Sequence, residues 1–395
     1  MTFEQWKEAP MNEQDLATLT AFRHELHRHP ELSCQEQQTA RRVAAMLREV
    51  GVDELHEGIG GHGLVAIIYG EEPGIGVALR ADMDALPLQE NAGNTHGSQH
   101  ANVMHACGHD GHAAMLVGAA MELVQQRPPR GHVVLVVQPA EEAGTGAPDM
   151  LADGLFERFP VKAIFGMHNW PGVKTGHFVV HDVPHMAASD EFSVTFHSRG
   201  GHGAMPHLTR DPILATGLFI TGVHQIVGRN ISPSDTAVIS VGSVHGGDAS
   251  NIIPATSRVK GDVRSFTPQV RELLEQRIRE VAQGAALTAG CEVALEYTPS
   301  TPAVANDLAC AALCREVITA EWGSERLVEH PISLSSEDMG VFLEAVPGAY
   351  CWIGNGDQPG SPNLHQPDYD FNDASLAPGS HFLACVARRF LMTDS

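Results

Sequence analysis

The segment HACGHDGHAAM, residues 105–115, sets His105, Cys107, His109, Asp110 and His112 within eight positions and then runs into alanine and methionine. Thiol, imidazole and carboxylate are the side chains that hold zinc-like divalent ions. Cys107 and His109 are two residues apart and cannot share a helix face, so the spacing suits a loop. Asp110 is then a candidate N-cap for a helix over GHAAMLVGAAMELVQ. A thiol beside a helix N-terminus loses its proton more easily, which favours ligation. Taken alone, the segment fits a buried inert cysteine beside a capping aspartate equally well.

Glu141 and Glu142 carry a sharper signal, because they follow the apolar run HVVLVVQ (132–138) almost directly. At least one of these acids lies near the core, where an unpaired charge is strongly destabilising. Neighbouring side chains on an extended segment point in opposite directions. One glutamate can therefore bind a metal while the other faces the substrate as a base. His168 in GMHNWPG and His365 in SPNLHQPDYD mean little singly in a chain with 23 histidines; their weight comes from where they fall.

The elements that must position these residues are short apolar runs: GVALR (76–80), HVVLVVQ (132–138), KAIFGM (162–167) and AYCWIG (349–354). Such runs, separated by helical segments, read as strands buried on both faces of an α/β sheet. They lead respectively into Asp82 and Asp84, Glu141 and Glu142, His168, and a loop reaching His365. Open α/β sheets place their sites past the carboxyl ends of strands. Residues 33–51 read as a helix with Ser33 and Glu36 as a capping box and Gly51 as its stop, and a second helix runs from Thr267 and Pro268 towards Gly290. GIGGHG (58–63) matches a dinucleotide fingerprint formally, but a strand follows it where that motif needs a helix. RGGHGAMPH (199–207) reads, from composition, as a tight turn with incidental histidines.

With 395 residues, two domains are expected. From DEFSVTF onward the strands alternate polar and apolar, as in an antiparallel sheet covered on one face. The reading is a catalytic domain over 1–185 and 299–395, with a smaller α+β domain inserted at 186–298. A formal charge of −23, from 48 acids against 25 bases, disfavours nucleic acid and anionic membranes as partners. No basic start, apolar leader or 18-residue apolar run is present. Seven irregularly spaced cysteines suit a reducing compartment, so a cytoplasmic protein is expected.

HELHRHPELS, RADMDALPLQE, MHACGHDGHAAMLVGAA, QPAEEAGTGA, GMHNWPG, GGHGAMPH, NIIPA and GDVRSF occur in this order along nearly the whole chain. Together they resemble the aminoacylase and carboxypeptidase family of metallopeptidases, and most closely its amidohydrolase branch of hippurate, N-acyl-amino-acid and auxin-conjugate hydrolases. The resemblance implies a zinc-exopeptidase-like α/β domain, with a mixed, mostly parallel sheet flanked by helices, and an inserted lid that often forms a homodimer contact. It implies two divalent ions (zinc, manganese, cobalt or nickel) held by Cys107, His109, Glu142, His168 and His365. Glu141 would be the general base, counted with Asp84 and His202 as catalytic. Asp84 resembles an aspartate that steadies the site, and many relatives outside this branch carry a ligand histidine where Asp82 stands. His202 resembles a residue that polarises the scissile carbonyl, and Asn251 and Arg264 resemble holders of the substrate carboxylate. The implied reaction is hydrolysis of an N-acyl amino acid by metal-activated water, with a dipeptidase or a biosynthetic deacetylase as the alternative.

Overall fold

A computed structural model of the chain describes residues 11–91 and 93–393; residues 1–10, on which the expectation about a leader rests, lie outside the described residues. In chain order the elements begin with α1 (Glu13–Arg28), α2 (Gln37–Val50), β1 (Glu54–Ile59), β2 (Gly63–Tyr69), β3 (Glu72–Asp82), α3 (His109–Gln125) and β4 (Arg130–Gln138). Then come α4 (Gly146–Ala152), α5 (Leu155–Arg158), β5 (Ala163–Pro171), β6 (Phe178–Val179), β7 (Ala188–His197) and β8 (Gly201–His202). These are followed by α6 (Pro212–Val223), α7 (Gln225–Asn230), β9 (Ala237–His245), β10 (Ile252–Ile253), β11 (Thr256–Ser265), α8 (Pro268–Ala289) and β12 (Glu292–Thr301). The chain ends with α9 (Leu308–Trp322), α10 (Met339–Ala345), β13 (Gly348–Gly356) and α11 (Leu376–Thr393). They fall into two compact units, one of which takes in Pro184–Val304 and Ile332–Glu337 and the other the remainder.

In the larger unit the strands run in the order β1-β2-β4-β3-β5-β13-β6. The four central strands are parallel to one another, and β1, β2 and β6 pair antiparallel at the edges. This is the mixed α/β sheet the sequence implies. Its central strands are buried on both faces over most of their length, which is why they read as continuous apolar runs rather than alternating ones. Leu64, Ala66, Val77, Leu79, Val133, Leu135 and Phe165 share one core with α1, α2, α3, α9 and α11. GIGGHG forms the turn of the β1–β2 hairpin.

Two helix starts differ from the sequence pattern. Ser33 and Glu36 form no capping box. Ser33 Oγ donates to Asp84 at 2.7 Å, and Glu36 Oε1 accepts the backbone N–H groups of Cys34 and Ala140 at 2.9 and 2.7 Å. The first N–H groups of α2 go instead to Glu31 Oε2, which accepts from Gln38 and Thr39. A buried group left without a partner costs more than a helix end within reach of water, so the would-be cap residues serve the interior. Likewise Asp110 is no cap. Gly108 holds that place at φ +92, and Asp110 turns inward to His27 and Arg23 at 2.8 and 3.3 Å.

The smaller unit is a four-stranded antiparallel sheet, β12-β7-β11-β9, with α6, α7 and α8 supplying the helical side of its core. β7 alternates buried and more exposed positions, the mark of a sheet covered on one face. Thr267 caps α8 by accepting the N–H of Val270, and Gly290 closes it in the left-handed conformation. A short β8–β10 ribbon pairs His202 with Ile252.

Behind the strand ends of the larger unit, Arg80 is 1% exposed and joins β3 to three other segments. It donates to Asp82 at 2.7 Å, Gln138 at 2.7 Å, Asp338 at 3.0 Å and the Tyr350 hydroxyl at 3.1 Å. Removing one partner of a buried ion pair strands the other. Arg80→Met is expected to destabilise the protein by about 3–5 kcal/mol in equilibrium urea denaturation. A loss below about 1 kcal/mol, the range of an exposed pair, would show that this network does not anchor the strand ends.

Candidate metal centre

The loop before α3 delivers Cys107 and His109, and Gly108 turns the chain between them. A Cβ there would collide with the Asn169 amide and the Tyr369 hydroxyl, and its positive φ also disfavours any side chain. β4 ends at Gln138, and a tight turn through Ala140 presents Glu141 and Glu142. His168 lies in the carboxyl-terminal half of β5, and His365 in the loop after β13. Five residues from distant parts of the chain thus meet in one place.

Cys107 Sγ stands 3.4 Å from His168 Nε2, close to the roughly 3.5 Å that a sulfur and a nitrogen about 2.3 and 2.0 Å from one tetrahedral ion must adopt. Ligand atoms of Cys107, His109 and His168 lie within 4.8 Å of one another, as do those of Cys107, Glu142 and His365. Glu142 Oε1 is 3.3 Å from His365 Nε2, and His109 Nε2 is 3.9 Å from both Glu141 Oε2 and Glu142 Oε1.

The remaining ring nitrogens are tied back. His109 Nδ1 pairs with Asp84 Oδ1 at 3.1 Å, and His168 Nδ1 donates to the Asn169 carbonyl at 2.6 Å. Each Nε2 is left facing the cluster, as in imidazoles whose far N–H is held so that the near lone pair meets a metal. Asp84 is 1% exposed; its Oδ2 also accepts from Ser33 Oγ and from the Glu142 N–H at 3.0 Å. It therefore sits behind the candidate ligands, bonded to the far nitrogen of His109.

The electrostatics fit a bound cation. Burial opposes a charge on His109, but Asp82, Asp84 and Glu142 outweigh it and push the imidazole up to about 10. Burial pushes His168 well down, with the charge of His112 adding to the effect. Burial, followed by Glu142, Glu141 and Asp82, pushes the Cys107 thiol well up. The gain expected from a helix N-terminus is thus overridden by burial and the surrounding acids. Neither His109 Nε2 nor Glu142 Oε1 has a well-formed hydrogen bond among the described residues, and both are buried. Divalent cations would satisfy these atoms together and would stabilise the thiolate.

Several supporting residues carried no assignment in the sequence reading. Both His112 nitrogens are engaged, by Asp82 at 2.6 Å and Asn169 at 2.6 Å, so His112 braces the centre. Asp82 lies deep among Arg80, His109 and His112. Arg23, fully buried, reaches Asp110, Asp370 and Asp373. His27, beside Asp110 and Glu90, is held up to about 9 against the cost of its burial. His105 is buried with neither nitrogen hydrogen-bonded among the described residues, and burial pushes it down to about 4; it is a neutral neighbour. The available signal was the charge pattern itself: Arg80 interrupts an apolar strand, and HELHRHPELS loads one helix with titratable groups.

In the smaller unit His202 and Asn251 are exposed and adjacent, Gly203 N–H donating to the Asn251 carbonyl at 2.8 Å across the ribbon. Arg264 lies near the other end of β11, its Nε donating to Asp262 at 2.8 Å. Eight residues separate it from the start of that strand, roughly 27 Å at the usual rise. Within one copy of this unit, His202 and Asn251 come together and Arg264 does not join them.

Residues 78–389 match the model of peptidase family M20/M25/M40. The hippurate hydrolase of Campylobacter jejuni is 38% identical over 371 residues, covering 94% of this chain and 96% of its own. An N-acetyl-L-cysteine deacetylase of Bacillus subtilis is 34% identical over 374 residues, covering 94% and 88%. A solved structure from Bacillus subtilis, described as a dinuclear metal-binding peptidase of the M20 family, superposes with a TM-score of 0.86 at 32% identity, covering 97% of this chain and all of that one. The chain therefore belongs to peptidase family M20/M25/M40, as a hydrolase of its amidohydrolase branch.

Proposed function

We propose that the protein hydrolyses N-acyl amino acids to a carboxylic acid and a free amino acid. The observation that carries this reading is the placement of two adjacent carboxylates, Glu141 and Glu142, each 3.9 Å from the same buried His109 Nε2. One acid completes a ligand set while its neighbour stays beside it for proton transfer. Hippurate and N-acetylcysteine, which the relatives' names give as substrates, are both N-acyl amino acids.

Cys107, His109, Glu142, His168 and His365 would hold two divalent ions, of the zinc, manganese, cobalt or nickel class, which supply Lewis acidity towards water and the amide carbonyl. Glu141 takes a proton from the attacking water on its carboxylate and gives it to the leaving nitrogen as the amide bond breaks. Asp84 keeps the His109 ring aimed. His202 donates to the carbonyl oxygen as negative charge develops there. Asn251 and Arg264 hold the substrate carboxylate, the latter through its planar fork.

These last assignments have a geometric consequence. Arg264 and the His202–Asn251 pair are farther apart along their unit than an N-acyl amino acid is long. A substrate touching all three takes them from two copies of the chain, so we infer a homodimer as the working form.

Three measurements test the reading. N-benzoylglycine and N-acetyl amino acids are expected to be cleaved and dipeptides left intact; cleavage of dipeptides alone would replace the proposed substrate class. Glu141→Gln is expected to lower kcat about 10²–10⁴-fold with metal content unchanged by elemental analysis, whereas Asp84→Asn weakens metal affinity about 10–100-fold. Metal loss in the Glu141 variant would make that residue a ligand and reverse the role assignment. Finally, mixing the inactive His202→Ala and Glu141→Gln proteins is expected to restore activity through mixed dimers. If mixtures that exchange subunits stay inactive, the two-copy site is wrong.

A further inference from the structure

The helical layer of the larger unit holds a second group of metal-type donors. His381 and Cys385 lie one turn apart on α11, and Glu321 stands near the end of α9 beside them. His381 Nε2 is 3.2 Å from Glu321 Oε2 and 3.4 Å from Cys385 Sγ, and the three ligand atoms lie within 4.8 Å of one another. The other ring nitrogen, Nδ1, is 2.9 Å from Glu122 Oε2 on α3. Glu122 is thirteen residues along α3 from His109, about 20 Å at the helical rise. We propose that Glu321, His381 and Cys385 form a binding site for a thiophilic divalent cation of the zinc class, separate from the reaction centre.

Spacing and distance both support it. Residues four apart on a helix share one face, so His381 and Cys385 approach a common point without backbone distortion. A tetrahedral zinc ion about 2.3 Å from sulfur and about 2.0 Å from nitrogen and oxygen sets N···S near 3.5 Å and N···O near 3.3 Å, close to the separations found. Glu122 at Nδ1 fixes the tautomer that leaves the Nε2 lone pair facing Cys385 and Glu321, an arrangement typical of metal-bound imidazoles.

Glu321 supplies an independent observation. The side chain of Glu321 is 6% exposed and its Oε1 has no hydrogen-bond partner among the described residues, whereas Glu122, on the far side of the ring, is also faced by the Arg388 guanidinium at 3.9 Å. A buried carboxylate oxygen without a donor favours a cation. His381, 15% exposed, leaves an edge through which an ion and the water completing its coordination reach the site. On binding, the thiol proton of Cys385 leaves for solvent as the sulfur–metal bond forms.

The competing arrangement is an imidazolium clamped between two carboxylates. To separate them, the full-length Cys107→Ser protein, which lacks the thiol of the reaction centre, is stripped of metal and titrated with cadmium. The readout is thiolate-to-cadmium ultraviolet absorption. Absorption that saturates at one equivalent and falls away when Cys385→Ser is added is the expected result. Adding Glu321→Gln instead, with circular dichroism confirming the fold, should keep the absorption but weaken binding at least about tenfold. A titration curve unchanged by Cys385→Ser, or no absorption at all in Cys107→Ser, overturns the site in favour of the clamp.

Discussion

Charge buried at the ends of parallel strands is the constraint from which the rest of this structure follows. Asp82 and Asp84 close β3, Glu141 and Glu142 follow β4, and the two aspartates are almost wholly withdrawn from water. Carboxylates in that position are stable only if cations or donors answer them. Arg80, His109 and His112 answer in part, from within the chain. Each of these groups spends one side on an acid and, in the case of His109, turns the other into the cavity. Burial and the same acids favour the protonated Cys107 thiol, so ion binding there would be coupled to thiolate formation. Cluster and fold are thereby linked: a donor set this rich in acid is stable only around positive charge.

How much of this was legible in the sequence depends on the range of the interactions involved. The central strands were readable because burial on both faces leaves an uninterrupted apolar run. Ligand-type residues just past those runs followed from the geography of an open sheet. Pairings across the chain were not readable. Arg80 meets Asp338 258 positions away, and Arg23 meets Asp373 350 positions away. Nothing local marks such partners beyond a charge sitting in an apolar context.

The local rules that failed did so for a shared reason. Ser33 and Glu36 satisfy the capping-box pattern, and Asp110 stands where a cap belongs, yet all three bond to buried groups instead. Caps contribute about 1 kcal/mol each, while an unsatisfied buried amide or carboxylate costs more. Residues able to do either are therefore drawn to the interior wherever tertiary structure brings an unpaired group within reach. The expectation for Cys107 failed in the same way, a helix-end effect being outweighed by burial and three carboxylates.

Backbone conformation around the centre carries the same argument one step further. Ala140 and His365 adopt φ of +51° and +62°, a region that side chains normally avoid at a cost of about 1–3 kcal/mol. Each directly supplies or precedes a candidate functional group, and each is clamped by its neighbours. Ala140 N–H donates to Glu36, its carbonyl accepts from Gly146 at 3.1 Å, and His365 N–H donates to the Ala106 carbonyl at 2.8 Å, one residue before Cys107. That last bond ties the loop bearing His365 to the loop bearing Cys107, so the two donors most distant in sequence share one backbone contact. The strain is held at the positions where an ordinary turn would aim Glu141 or His365 elsewhere, and the buried hydrogen bonds of Glu36 and Ala106 keep it there.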